Sequence, residues 1–165
     1  MTDYLVTTFA KMGEITSLLT LISPLPSFMF CHKPNHEKIQ MLNGISYSYL
    51  ISLYVMNATW VAYCIKEGLD DIIAINLLGM LSALIFILIY IYTKYQVELP
   101  VYDIVVFIST LPFTVFVHTD VFSSDFTGFL AVLLSIFSYV TTLGNVTETL
   151  ETKNPDTLNI SVSLS

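Results

Sequence analysis

A long run of apolar residues without a charged side chain extends from Ile72 to Tyr92. A helix needs about 20 residues to cross the ~30 Å hydrocarbon core of a bilayer, so this run is long enough to span a membrane. Four further apolar segments occur, at about 15–31, 45–65, 104–117 and 126–146. Hydrophobic residues make up 55% of the 165-residue chain and charged residues 12%, which is about half the usual charged fraction of a soluble domain. The sequence therefore predicts an all-α integral membrane protein with five transmembrane helices.

The charged residues and cysteines argue against several functions. The basic residues are six lysines set against 13 acidic residues, which gives a net charge of −7. Nucleic-acid binders carry basic clusters, and this chain has none, so nucleic acid is not an expected partner. Cys31 and Cys64 do not have the spacing of a metal site or a disulfide framework. No nucleophile–base pair or metal cluster lies within an apolar segment, so we expect no enzyme activity and no metal.

The distribution of lysine predicts the orientation in the membrane. If the apolar segments cross one after another, four lysines fall on one side and two on the other. The first group is Lys33, Lys38, Lys94 and Lys153, and the second is Lys11 and Lys66. Because loops with more lysine tend to face the cytoplasm, the amino terminus is expected outside. We expect a multi-pass protein with membrane lipid as a partner, in the plasma membrane rather than an endomembrane.

Trp60 and Asn76 are predicted to face one cavity. The short connection between the second and third spans makes these spans an antiparallel hairpin. Trp60 lies six residues before Lys66 and Asn76 lies five residues after Asp71. At a rise of 1.5 Å per residue, both side chains therefore lie roughly 8–9 Å below the same membrane surface.

This pairing suits a neutral carbohydrate. An indole offers a flat apolar face and an N–H donor, and a carboxamide offers donors and an acceptor to sugar hydroxyls. The alternative is that Asn76 only hydrogen-bonds between helices and that Trp60 only anchors the membrane interface. Gly79 and Ala83 extend the Asn76 face as a strip of small residues, which permits close approach of a neighbouring helix under either interpretation.

Prolines occur in the first and fourth apolar segments. A proline within a span removes a backbone hydrogen bond and kinks the helix unless neighbours compensate. Pro24 and Pro26 in the stretch SPLPSF are therefore candidate hinge or gating residues, with a static kink as the alternative.

Two motifs resemble those of the SWEET (MtN3/saliva) sugar transporters. SPLPSF at 23–28 is similar to the family's first-helix motif. WVAYCIKEGLDDIIAINLLG at 60–79 is similar to its Trp-x-x-Tyr-Gly…Pro-Asn-x-x-Gly block. The run that begins at Ser135 resembles the start of the family's second repeat.

The resemblance implies a fold of parallel three-helix repeats joined by a linker helix. Residues 1–95 would form the first repeat, with spans at about 15–31, 45–65 and 72–92. Residues 96–125 would hold the linker with the fourth span. Residues 126–165 would hold the first helix of a second repeat and a polar tail, so helices six and seven of the family are not expected in this chain.

The resemblance also implies facilitative transport (uniport) of mono- or disaccharides by alternating access, without a cofactor. Asn76 falls on the family's substrate-binding asparagine, Trp60 on a pocket-lining position and Pro24 on the first hinge proline. Departures occur at Cys64, where the family has glycine, and at Ile75, where it has proline. The family's other hinge prolines would fall at Ser46, Thr142 and Asn159, and none of these is proline.

These departures leave two alternatives open. One is another small-solute carrier of the PQ-loop superfamily, although its characteristic Pro-Gln pair does not precede Pro24. The other is a non-transporting, truncated membrane scaffold or subunit. If the chain transports, a homo-oligomer is one way to complete the pore.

Overall fold

The computed structural model describes residues 46–96 and 98–152. These residues form four helices and no strand: α1 (Tyr47–Glu67), α2 (Asp70–Tyr95), α3 (Val101–Val117) and α4 (Ser124–Thr152). The all-α prediction is thus confirmed for the described part of the chain. The five-span repeat architecture and insertion into a membrane stay predictions. The first predicted span, with Pro24 and Pro26, and the polar tail after residue 152 lie outside the described residues.

A short turn joins α1 and α2 into the expected hairpin. The Ser46 hydroxyl caps the start of α1 by accepting a hydrogen bond from the backbone N–H of Tyr49, at 3.3 Å. At the other end Gly68 adopts φ 68°, a left-handed conformation that favours glycine after a helix. Asp70 and Asp71 then open α2, where their charge suits the positive end of the helix dipole.

Helix α1 is the centre of the bundle, because it contacts α2, α3 and α4. The core between α1 and α2 contains Leu50 and Ile87, both with no exposed surface. The remaining buried members of this core are Tyr47, Tyr49, Leu53, Tyr54, Ala83, Phe86 and Tyr90. The packing of Ala83 in this core agrees with the predicted strip of small residues on α2.

The start of α3 is attached to both helices of the hairpin. The Tyr47 hydroxyl donates to the backbone oxygen of Asp103 at 2.6 Å, and the Lys94 ammonium donates to the Asp103 carboxylate at 2.7 Å. Only 5% of the Asp103 side chain is exposed, so its charge needs this partner. The rings of Tyr47 and Tyr90 pack with centroids 4.9 Å apart. These contacts fix α3 against α1 and α2.

At the opposite end, Lys66 holds the connection between α3 and α4. Its ammonium lies between 2.9 and 3.3 Å from four oxygen acceptors. The acceptors are the backbone oxygens of Val117, Thr119 and Phe122 and the hydroxyl of Thr127. Carbonyls at a helix carboxyl end carry partial negative charge, so a cation is favourable there. Next to Lys66, the Glu67 carboxylate accepts a hydrogen bond from Ser124, the first residue of α4.

Helices α1 and α2 are long and apolar enough to cross a membrane, by length and composition. Large apolar side chains are also exposed along one side of α2, α3 and α4. Examples with at least half of the side chain exposed are Leu78, Ile85, Leu88, Val105, Ile108, Val115, Phe129, Ile136 and Phe137.

Candidate functional site

A cavity of about 360 Å³ lies between α1, α2 and α4. This volume falls in the range of about 300–1,000 Å³ that is usual for small-molecule sites. The lining residues are Leu53, Met56, Asn57, Trp60, Ile72, Ile75, Asn76, Gly79, Ser135 and Tyr139. The structure thus brings Trp60 and Asn76 to one cavity. Their role in binding a substrate stays a prediction.

Among the described residues, the lining contains no acidic or basic side chain. Apolar walls come from α1 and α2, and the polar groups are two carboxamides, one serine hydroxyl and one tyrosine hydroxyl. Because an unpaired ionic group is costly to bury, a site of this composition suits a neutral solute with hydroxyl or amide groups.

Asn76 presents part of its carboxamide to the cavity. Its Nδ2 donates to the backbone oxygen of Ile72, one turn earlier on α2, at 2.9 Å. A primary amide has two N–H donors and an acceptor oxygen, so one N–H and the oxygen have no partner among the described residues. The side chain is half-buried and can therefore hydrogen-bond to a solute.

Asn57 adds a second carboxamide that is absent from the sequence-based prediction. It lies three residues before Trp60, on the same side of α1, and only 7% of it is exposed. Its Nδ2 donates to the backbone oxygen of Leu53 at 2.7 Å. Gly79 of α2 lies directly against this amide, and a methyl group added at Gly79 would overlap the Asn57 oxygen. The sequence did contain a signal for Asn57 as a lining residue, because its helical spacing from Trp60 places both side chains on one side of α1.

Trp60 lines the cavity, and its N–H is bonded to another helix. The indole Nε1–H donates to the Ser135 hydroxyl of α4 at 3.0 Å. The Tyr63 ring packs against the indole at 5.7 Å with an interplanar angle of 80°. The sequence predicts an N–H donor for a sugar at this position, but the structure uses that donor to connect α1 with α4.

Small residues allow α4 to approach α1 closely. Gly128 of α4 lies against the ring of Tyr63, where an added Cβ would be 2.7 Å from a ring carbon. Thr127 and Ala131 have no exposed surface, and together with Gly128 they occupy the first turns of α4. Further along α4, Ser135 and Tyr139 lie one turn apart and close the third wall of the cavity.

The site has no feature of a metal centre. Within the described ranges, no group of three or more histidine, cysteine, aspartate or glutamate side chains could hold a metal ion. Cys64 is buried and carries no disulfide.

Comparison of the chain with protein-family models, with curated proteins and with solved structures finds no match.

Proposed function

We propose that this protein is a multi-pass membrane carrier that moves a neutral carbohydrate by facilitated diffusion, with the cavity between α1, α2 and α4 as the binding site. The observation that carries the proposal is the combination of an indole with two carboxamides in a cavity to which the described residues contribute no charged group. A pyranose presents the complementary surfaces, a C–H face for the indole and a rim of hydroxyls for Asn57 and Asn76.

The neutral lining favours a sugar over an amino acid or another ionic solute. A zwitterion would bring two charges to a site where the described residues supply no counter-charge. Desolvating those charges without partners would cost several kcal/mol or more. The lack of a counter-charge among the described lining residues therefore supports the sugar carrier over a PQ-loop amino-acid carrier.

The exposed apolar surface supports placement in a bilayer. α1 and α2 meet the length and composition of membrane spans, and α3 and α4 expose apolar side chains over several turns. In water this surface would be a strong aggregation liability. The resemblance to SWEET transporters supports the same proposal, and with it uniport by alternating access, an external amino terminus and a plasma-membrane location. A homo-oligomer is part of the same proposal.

The test is uptake of labelled glucose and sucrose in cells that lack their own sugar carriers. Asn76→Ala removes the only described amide on α2 that faces the solute. Loss of a hydrogen bond that leaves a polar partner unsatisfied costs about 1–3 kcal/mol, so uptake at low sugar concentration should fall roughly 5- to 150-fold. Surface expression should persist, because the Asn76 amide bonds only its own helix within the described residues.

Ser109→Ala is the matched control. The Ser109 hydroxyl also donates to a backbone oxygen one turn earlier, at 2.7 Å, but it is exposed on α3 and does not line the cavity. Uptake should be unchanged in this variant. Wild-type uptake with no loss in Asn76→Ala at equal surface expression would contradict the proposed site. Purified protein that moves no labelled sugar in liposomes would favour the scaffold alternative.

A further inference from the structure

We propose that Ser135 is a positioning residue, whose hydroxyl fixes the Trp60 indole so that the ring presents its apolar face to the solute. This inference rests on the proposed function, because it assigns the carbohydrate a particular mode of contact in the same cavity. It predicts that this wall selects solutes with a flat C–H face, such as a pyranose ring, over acyclic polyols.

The hydrogen bonds of Ser135 define the direction of its hydroxyl. The Ser135 O–H donates to the backbone oxygen of Ala131 at 2.9 Å, and its oxygen accepts from the Trp60 Nε1–H at 3.0 Å. A serine hydroxyl has a single donor, so its proton is directed at Ala131 and a lone pair is left for the indole. The indole N–H is therefore directed at α4 and is not free to donate to a solute.

A second contact restricts the same ring. The rings of Tyr63 and Trp60 meet at an interplanar angle of 80° with centroids 5.7 Å apart, and the Tyr63 ring lies against Gly128 of α4. The indole is thus restrained by the hydrogen bond from its nitrogen to Ser135 and by the ring contact with Tyr63. Without the Ser135 hydroxyl, the N–H would lose its partner at the edge of the cavity and the ring would turn to bond water or solute.

The consequence is a division of roles within the cavity. Trp60 contacts the C–H face of a ring, while Asn57 and Asn76 contact hydroxyl groups. An acyclic polyol such as D-glucitol has at least as many hydroxyls as a hexose but no rigid C–H face. We therefore expect D-glucose to compete for the site better than D-glucitol, and this preference should weaken when the indole is no longer held.

The first experiment observes the indole directly. Trp60 is the single tryptophan of the chain, so ¹⁵N-labelled full-length protein in detergent gives one indole N–H resonance. Ser135→Ala should shift this resonance, and Ser135→Thr, which keeps a hydroxyl, should leave it near its wild-type position. Ser109→Ala removes an equivalent hydroxyl on α3 and should not move it. If Ser135→Ala does not accumulate, Ser135→Cys, whose thiol is a weak acceptor, replaces it.

The second experiment measures transport kinetics. Ser135→Ala should raise KM for D-glucose several-fold with little change in the maximal rate, because the loss affects binding geometry. Trp60→Phe keeps an aromatic face but has no N–H, so Ser135→Ala should cause no further change in KM when added to Trp60→Phe.

The outcomes separate the two proposals. An unchanged indole resonance in Ser135→Ala overturns the positioning role, and so does a KM increase of the same size in the Trp60→Phe background. If the resonance shifts as expected but the wild-type protein transports no sugar, the proposed function fails and the positioning of the indole by Ser135 stands.

Discussion

Helices α1 and α2 are neighbours in one hairpin, but α2, the more apolar helix, is the less buried of the two. In the most apolar 18-residue stretch of each helix, 61% of residues are buried in α1 and 22% in α2. Yet α2 is the more apolar of the two. In water, the hydrophobic effect would bury the more apolar helix. The reversed order is expected when lipid surrounds the bundle, since lipid tails solvate apolar side chains as well as a protein core does.

Helix α1 also buries several polar side chains. Ser52, Asn57 and Thr59 are all buried. Each donates to a backbone oxygen three or four residues earlier on α1, at 2.7–2.9 Å. Bonding within the helix lets α1 bury polar groups without relying on neighbouring helices. The inside of α1 therefore carries polar groups, whereas the exposed side of α2 is largely apolar.

The largest expected difference between the two helices comes from truncating leucine. Leu50→Ala in α1 removes a side chain with no exposed surface, and such losses cost about 2–5 kcal/mol. Leu78→Ala on α2, where the side chain is 52% exposed, should change stability by only about 0.5 kcal/mol or less. The free energy of unfolding in mixed detergent, followed by Trp60 fluorescence, measures both. Equal losses of unfolding free energy in the two variants would mean that the face of α2 that carries Leu78 is covered.

A lysine on the outer face of α2 tests the surrounding medium. Leu81 is 44% exposed near the middle of the helix. In a bilayer, Leu81→Lys should disfavour insertion by about 2.5–3.5 kcal/mol. The measurement is the inserted fraction in a translocation assay, with Leu81→Ala as the control. Normal insertion of the lysine variant would indicate that this face meets water and would remove the main support for a membrane carrier.

A smaller effect is expected at the contact between the two helices. Gly79→Ala would overlap the Asn57 amide, and overpacking of this kind costs about 1–3 kcal/mol. The gain in helix propensity, about 1 kcal/mol, offsets part of it. Asn57→Ala should remove the overlap, so the double variant should be more stable than Gly79→Ala alone. A stabilising effect of Gly79→Ala by itself would show that the amide moves aside freely.

Local patterns predicted much of the hairpin. The uncharged run from Ile72 and the short polar connection before it were sufficient for two antiparallel helices. The helical rise then placed Trp60 and Asn76 at one depth, and both line one cavity. The helix ends were less predictable: α3 begins at Val101, directly after Pro100, and α4 continues to Thr152 through a polar stretch.

The contacts that hold the site were not predictable from spacing, because they join residues far apart in the chain. The bond between Trp60 and Ser135 connects positions 75 residues apart, and no periodicity in either helix signals it. Lys66 is a second example. In the sequence it only contributes to the charge balance of a loop, whereas in the structure its ammonium contacts oxygens 51 to 61 residues away. The hinge role of Pro24 and Pro26 remains a prediction.

The turn at Gly68 and Leu69 limits how this molecule can move. With only these two residues between α1 and α2, neither helix can slide along the other without breaking the turn. The hairpin should therefore move as one rigid unit. Of the described helices that line the cavity, α4 is then the one that can move relative to the hairpin, and the indole bond to Ser135 joins these two parts.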